Sequence, residues 1–187
     1  MPNWCSNKLS ITAQTSDHIS ELKGWHEFVS ANNYYTSTET GFFYHLLPTP
    51  PNMEENVAVD TQVALWGTKW DIKEFQNIDY STAGDDSLVL EFDTAWSPPL
   101  GVCMEIARRG YLIRLEYFEP GMCIGGYVEN NDNIAEPEIT HSDDMANPKD
   151  EVRQELEGTF FINDWYDYED EDEDDNDQDQ LINNGVI

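Results

Sequence analysis

SLVLEFDTAWSPPLGVCMEIARRGYLIRLEYF, residues 87–118, decides the fold. Leu88, Leu90 and Phe92 alternate with Val89, Glu91 and Asp93, the two-residue period of a half-buried strand. A helix follows. Ser97 is placed as its cap and Pro98 in its first turn, with Val102, Cys103 and Ile106 facing inward, Arg108 and Arg109 at the negative end of the helix dipole, and Gly110 as terminator. The next strand starts at once, with Ile113, Leu115 and Tyr117 on one face and Arg114 and Glu116 on the other. The EPGM turn then returns the chain through CIGGYVE, so the unit reads strand, helix, strand, strand.

Upstream, KLSITA alternates Leu9, Ile11 and Ala13 against Ser10 and Thr12 as a strand. Ser16 or Asp17 then caps a helix whose apolar positions Ile19, Leu22, Trp25, Phe28 and Val29 recur three to four apart until ANNYY breaks it. GFFYHLL reads as a second strand stopped by Pro48, Pro50 and Pro51, and a loop or short helix runs through VAVDTQVALWG. A weaker pattern from Trp70 to Ser81 joins through the STAGDDS turn to the strand of residues 87–95, making a hairpin. The order is that of an α+β domain: an antiparallel sheet of split βαβ units with two helices packed on one face. The folded body is assigned to residues 1–128. Residues 129–165 form an acidic extension in which Asn147, Pro148, Val152, Leu156 and Gly158 mark a short helix, and Phe160, Phe161 and Trp165 an apolar docking segment. Residues 166–187 are an acidic tail with too little apolar surface to offset backbone ordering of about 1–2 kcal/mol per residue.

Charge bounds the function. The 187 residues carry 9 Lys and Arg against 38 Asp and Glu, a net charge of -29. Such a chain repels nucleic acid and anionic membrane at close range and attracts basic surfaces. The excess is uneven: residues 1–128 hold seventeen acids and seven bases, residues 129–187 twenty-one acids and two bases. Three cysteines, Cys5, Cys103 and Cys123, form no CxxC pair, and the start MPNWCSNKLS has no charged region followed by an apolar one, which together point to a reducing cytosol.

Four fragments occur in order: MPNWCSNKLSITA at the start, WGTKWD at 66–71, FDTAWSPP at 92–99, and EYFEPGM at 116–122 followed by Gly125 and Gly126. They resemble the YubB-like ferredoxin-like proteins of plasmids and bacteriophages, whose motifs run MPNWC, WGTKWD, TAWSPP and YxEPG. The resemblance covers roughly residues 1–128 and implies a ferredoxin-like sheet with an extra β-hairpin and a bacterial mobile-element setting. It carries no assigned activity, because fold alone does not specify function.

The Trp motifs have two readings. In one, Trp66, Lys69, Trp70, Trp96, Glu119 and Gly121 line a pocket at one sheet edge, with Trp4 and Cys5 nearby, the indoles stacking on a ring and the lysine holding an anion. In the other, Gly67 permits a bend, Trp70 fills the core, Lys69 pairs with one of many acids, and Trp96 closes a strand. Catalysis finds little support: paired carboxylates are uninformative among so many acids, Cys103 faces inward as inert core, and His18, His26, His45 and His141 show no HExxH spacing. The acidic run lacks an EF-hand loop, so no metal and no cofactor is assigned.

The stretch DYEDEDEDDNDQDQLI, from Asp167 to Ile182, carries ten carboxylates and no cation before apolar residues return. It reads as a solubilising tail, as a nucleic-acid mimic that occupies a basic groove, or as a partner-recruiting tail like those of single-stranded-DNA-binding proteins. The chosen expectation is a non-enzymatic, cytoplasmic accessory protein that binds the basic surface of a nucleic-acid-binding host protein. Capture falls to Asp167, Glu169, Asp170, Glu171, Asp172, Glu173, Asp174 and Asp175, and apolar anchoring to Leu181 and Ile182, helped by Tyr166 and Tyr168. The alternatives are a protein associated with single-stranded nucleic acid through an acidic recruiting tail, and a small-ligand module built on the Trp motifs. Composition indicates neither a membrane role nor an oligomeric state.

Overall fold

The computed structural model describes residues 3–31, 41–82, 86–131 and 137–166. In chain order the elements are β1 (Trp4–Thr12), α1 (Ser16–Ala31), α2 (Phe42–Leu46), α3 (Glu55–Trp66), β2 (Phe75–Ser81), β3 (Ser87–Ala95), α4 (Leu100–Arg108), β4 (Leu112–Glu119), β5 (Ile124–Glu129), β6 (Glu138–Ser142), α5 (Glu151–Phe160) and α6 (Asn163–Tyr166). The six strands form one sheet in the order β2-β3-β1-β4-β5-β6, antiparallel at every pairing. Its first four strands are the interleaved ferredoxin-like unit. The connection from β1 to β2 passes β3, and α4 carries the chain from β3 past β1 to β4. β1 is therefore central, and its Leu9 faces both Leu90 and Leu115.

Register follows from burial. Cys5, Asn7, Leu9 and Ile11 point to one face, where they meet Leu88, Leu90 and Phe92 of β3 and Ile113, Leu115 and Tyr117 of β4. α1 lays Leu22, Trp25 and Val29 over that face, and α4 adds Val102, Cys103, Ile106 and Ala107. The expected α1 begins at Ser16, though the hydroxyl that accepts from a first-turn amide is that of Thr15, from His18 N at 3.2 Å. Burial pushes the Cys103 thiol up to about 12, as befits a thiol in the core.

Three expectations change. GFFYHLL is not a strand but the helix α2, because Phe42, Phe43 and Leu46 are all buried and a strand would send neighbours to opposite faces. Its first amides are held by Asp71: Oδ1 accepts from Phe43 N at 3.0 Å and Oδ2 from Tyr44 N at 2.8 Å. A Cβ at Gly41 would collide with that carboxyl group. Ser97 is not the cap of α4. The cap position is Pro99, and the Ser97 hydroxyl is used elsewhere. Finally, helices cover both faces of the sheet. α5 lies on the face opposite α1 and α4, where Phe118, Met145, Leu156 and Ile162 make a second core on the bare backbone of Gly125.

The docking segment thus seats through Phe160, Ile162 and Tyr166, while Phe161 and Trp165 stay largely exposed. β6, which lies past residue 128, extends the same sheet. Buried Arg153 ties α5 to its neighbours by donating to the carbonyls of Met145 and Ala146 and to Asn163 Oδ1. No helix among the described residues is long and apolar enough to cross a membrane.

Asp71 gives a pH-dependent prediction. Burial pushes its carboxyl up to about 6, against the pull of the backbone amides that bond the charged form. An acid raised in the folded state holds its proton longer there than in the unfolded chain, so its contribution to stability falls as pH rises from about 4 through 6. Asp71→Asn removes that titration. In urea melts across this range, the variant is expected to gain stability relative to the native chain as pH rises; a constant difference would contradict the assignment.

Candidate functional site

The WGTKWD and TAWSPP stretches meet at one end of the sheet, and short-range chemistry explains why. α3 ends at Trp66, which is fully buried and donates its indole N–H to Leu47 O at 2.8 Å. Gly67 then takes the left-handed conformation, φ 88°, that closes the helix. It must be glycine for a second reason: a Cβ there would come within 2.9 Å of Pro98 O and Leu100 N. Thr68, buried, donates from Oγ1 to Ala95 O at 3.0 Å, and Ser97 donates from Oγ to Gly67 O at 2.6 Å. These two bonds join the motifs across the gap between α3 and α4. Behind them, buried Asn7 donates to Thr94 Oγ1 at 2.9 Å, and Thr94 donates onward to Ser97 O at 2.8 Å.

This joint thrusts indoles outward. Trp96 has φ 70°, an uncommon region for a bulky residue, and its amide donates to Asn3 O at 2.9 Å. The strained backbone turns the side chain away from the core: Trp96 is 45% exposed and Trp4, opposite Ala95 in the sheet, 42%. Trp4 and Trp70 lie with ring centroids 6.4 Å apart, tilted by 46°. Lys69 Nζ sits 4.7 Å from the Trp70 centroid and 4.8 Å from that of Trp96, so one ammonium serves two indoles. Lys73 Nζ lies 5.0 Å from the Trp70 centroid. Each such contact contributes about 0.5–1 kcal/mol at an exposed position.

Their freedom from carboxylates sets these lysines apart. Arg108 and Arg109 pair with Glu105, Arg114 with Glu116, Glu129 and Glu155, and Arg153 is spent on carbonyls. Among the described residues no lysine is within ion-pair distance of a carboxylate, so Lys69 and Lys73 bring uncompensated positive charge to an otherwise acidic chain.

Of the six residues placed in a pocket by sequence, the structure brings Lys69, Trp70 and Trp96 together as an exposed platform. Trp66 is corrected to core. Glu119 is buried and closes the β4–β5 turn by accepting from the amides of Gly121 at 2.9 Å and Met122 at 2.6 Å. Gly121 packs so tightly on Asn3 that a Cβ would lie 2.8 Å from its amide nitrogen, which puts this turn beside the platform. Sequence reasoning missed Lys73 and the bridging role of Asn3. Lys73 stands four residues after Lys69, a visible spacing, whereas Asn3 required the register of β1 on β3. A cleft of about 250 Å³ on the open sheet face, lined by Ser6, Lys8, Gln76, Glu91, Asp93 and Phe160 among others, contains none of the six. Asp93 there accepts from Ser6 Oγ and Gln76 Nε2, each at 3.0 Å, and burial raises its carboxyl. Among the described residues no group of three or more His, Cys, Asp and Glu could hold a metal ion. The acidic residues assigned to capture, Asp167 to Asp175, and the anchors Leu181 and Ile182 lie outside the described residues.

Residues 66–180 match the family described as the ferredoxin-like domain in Api92-like protein. The chain belongs to that family. The match opens on Trp66, the first residue of the WGTKWD stretch, and takes in every element from β2 to α6. A crystal structure of a protein Api92 from Yersinia pseudotuberculosis shares 13% identity with this Api92-like chain, covers 75% of it and 98% of its own length, and superposes with a TM-score of 0.45. No curated protein matches the chain.

The left-handed Trp96 is testable. Glycine adopts this conformation without a Cβ penalty, so Trp96→Gly is expected to be more stable than Trp96→Ala by about 1 kcal/mol in chemical denaturation. Equal stabilities would mean that the backbone at residue 96 is not held left-handed.

Proposed function

We propose that this protein is a non-enzymatic, acidic accessory protein that binds the basic surface of a nucleic-acid-binding protein in the cytoplasm of a bacterial host. The observation that carries the reading is the pair of half-exposed indoles, Trp4 and Trp96, on a platform whose rings already hold cations, in a chain of net charge -29. Exposed tryptophans are the residue type most enriched among binding hot spots. The acidic field attracts a basic partner over distance and orients it, and the indoles supply apolar and cation–π contact on arrival. The carboxylates of Asp167 to Asp175 extend the attraction, as a chain of charges that imitates a nucleic-acid backbone. The mobile-element setting, and with it a role in blocking a host defence or nuclease complex, is taken from the YubB-like resemblance of the four motifs.

A second reading rests on the unpaired state of Lys69 and Lys73: single-stranded nucleic acid stacks its bases on the indoles while the two lysines hold phosphates. The acidic remainder of the chain opposes this.

Both are separated by capture from host lysate with the full chain, a chain ending at Tyr166, and the full chain carrying Trp4→Ala and Trp96→Ala. The main reading expects a basic nucleic-acid-binding protein on the full chain, released by added duplex DNA and by moderate salt, and at least tenfold less of it on the indole variant. Undiminished capture by the indole variant, or the absence of any basic protein, would overturn it. Direct quenching of the indoles by an oligothymidylate at the same salt would instead favour the second.

A further inference from the structure

The cation-bearing platform and the acidic tail belong to one chain, and the structure shows where that tail sets out. Residue 166 is the last described residue. Its hydroxyl is 3.4 Å from Pro120 O and 3.4 Å from Cys123 Sγ, its ring packs on Phe118, and the guanidinium of buried Arg153 lies 5.5 Å from its centroid. The exit point is thus fixed against the β4–β5 turn. That turn abuts Asn3 through Gly121, and Asn3 accepts from Trp96 N and precedes Trp4. Exit and platform are consecutive neighbours along one end of the sheet.

We propose that residues 167–182 fold back over this end and occupy the Lys69 and Lys73 side of the platform when no partner is bound. Charge favours it: ten carboxylates leave the body beside two lysines that have no carboxylate partner among the described residues. Reach permits it, since the fifteen links from Tyr166 to Leu181 span roughly 50 Å when extended, at about 3.3–3.6 Å per residue. Tethering also helps, because a segment joined by a short flexible linker meets its site at an effective concentration in the millimolar range. Leu181 and Ile182 end the acidic run with the apolar surface that exposed indole faces lack. The tail then screens the platform from weak anionic ligands, and a basic partner that takes the carboxylates uncovers the indoles in the same event. The contact is intramolecular and goes beyond the partner reading.

The test uses the purified full chain alone. A zero-length carbodiimide joins a lysine to a carboxylate only where the two touch, and mass spectrometry of the monomeric fraction maps the pairs. The chain has five lysines, Lys8, Lys23, Lys69, Lys73 and Lys149, so three serve as internal controls. The expected result is at least fivefold more linkage of residues 167–182 to Lys69 and Lys73 than to Lys8 or Lys23, falling at high salt. Because α5 begins close to Lys149, that lysine is scored separately. Even linkage over all lysines, or none at Lys69 and Lys73, would overturn the proposal. A Lys69→Gln, Lys73→Gln chain supplies the second measurement: its tail linkage should drop overall, and a redistribution to other lysines at undiminished yield would also overturn it. Since no partner is present, either failure leaves the partner reading standing.

Discussion

Two hydrogen bonds between neighbouring loops hold the exposed end of this molecule together. Thr68 reaches Ala95 and Ser97 reaches Gly67, so the exit of α3 and the entry to α4 are one joint and not two loops. Glycine makes the joint possible. Gly67 sits where any side chain would strike Pro98 and Leu100, and a Cβ on Gly101 would collide with the Leu65 carbonyl. With the backbones this close, both motifs have buried their small and hydroxylated residues, and the indoles between them face solvent. Lys69, Trp70, Trp96 and Lys73 are therefore a product of packing at the joint, with the left-handed turn at Trp96 as its local cost of about 1–3 kcal/mol.

Everything around the joint supports it from beneath. Asn7 on the central strand feeds a hydrogen bond through Thr94 to Ser97, linking the platform to the middle of the sheet. On the other face, α5 and α6 bring a second core and set the point from which the tail departs. Charge is arranged to the same end. The arginines are consumed inside the body, where their bonds fasten β4, β5 and the helices, and the unpaired cations include the two lysines on the indoles. A strongly acidic chain thus presents a small cationic, aromatic spot, a contrast that favours recognition over mere solubility.

Much of the ferredoxin-like sheet was legible in the sequence because its strands alternate so cleanly: Leu88, Leu90 and Phe92 in β3 and Ile113, Leu115 and Tyr117 in β4 fall on the face that the helices cover. The helical nature of α2 was not legible, since its conformation depends on Asp71, which lies twenty-eight positions from Phe43. Nor was β6, whose residues Glu138–Ser142 are mostly polar and gain strand character only by pairing with β5. The motifs pointed to the right place for the site but could not sort their tryptophans. Trp66 and Trp70 look alike in WGTKWD, yet the first ends a helix inside the core and the second begins the exposed platform. Ser97 had the spacing of a helix cap, and tertiary context took its hydroxyl for Gly67 instead.

The dependence of the platform on the joint is most directly measured in Thr68→Val, which keeps the side-chain shape and removes the donor to Ala95. A lysine held over an indole has its methylene proton resonances moved upfield by the ring current, so Lys69 reports the assembled platform in solution. In the native chain these resonances should be shifted. In Thr68→Val they should collapse toward exposed-lysine values, with the sheet still folded and stability lower by about 1–3 kcal/mol for the unsatisfied carbonyl. Lys69 resonances left unchanged in a folded Thr68→Val chain would show that the platform stands without the joint.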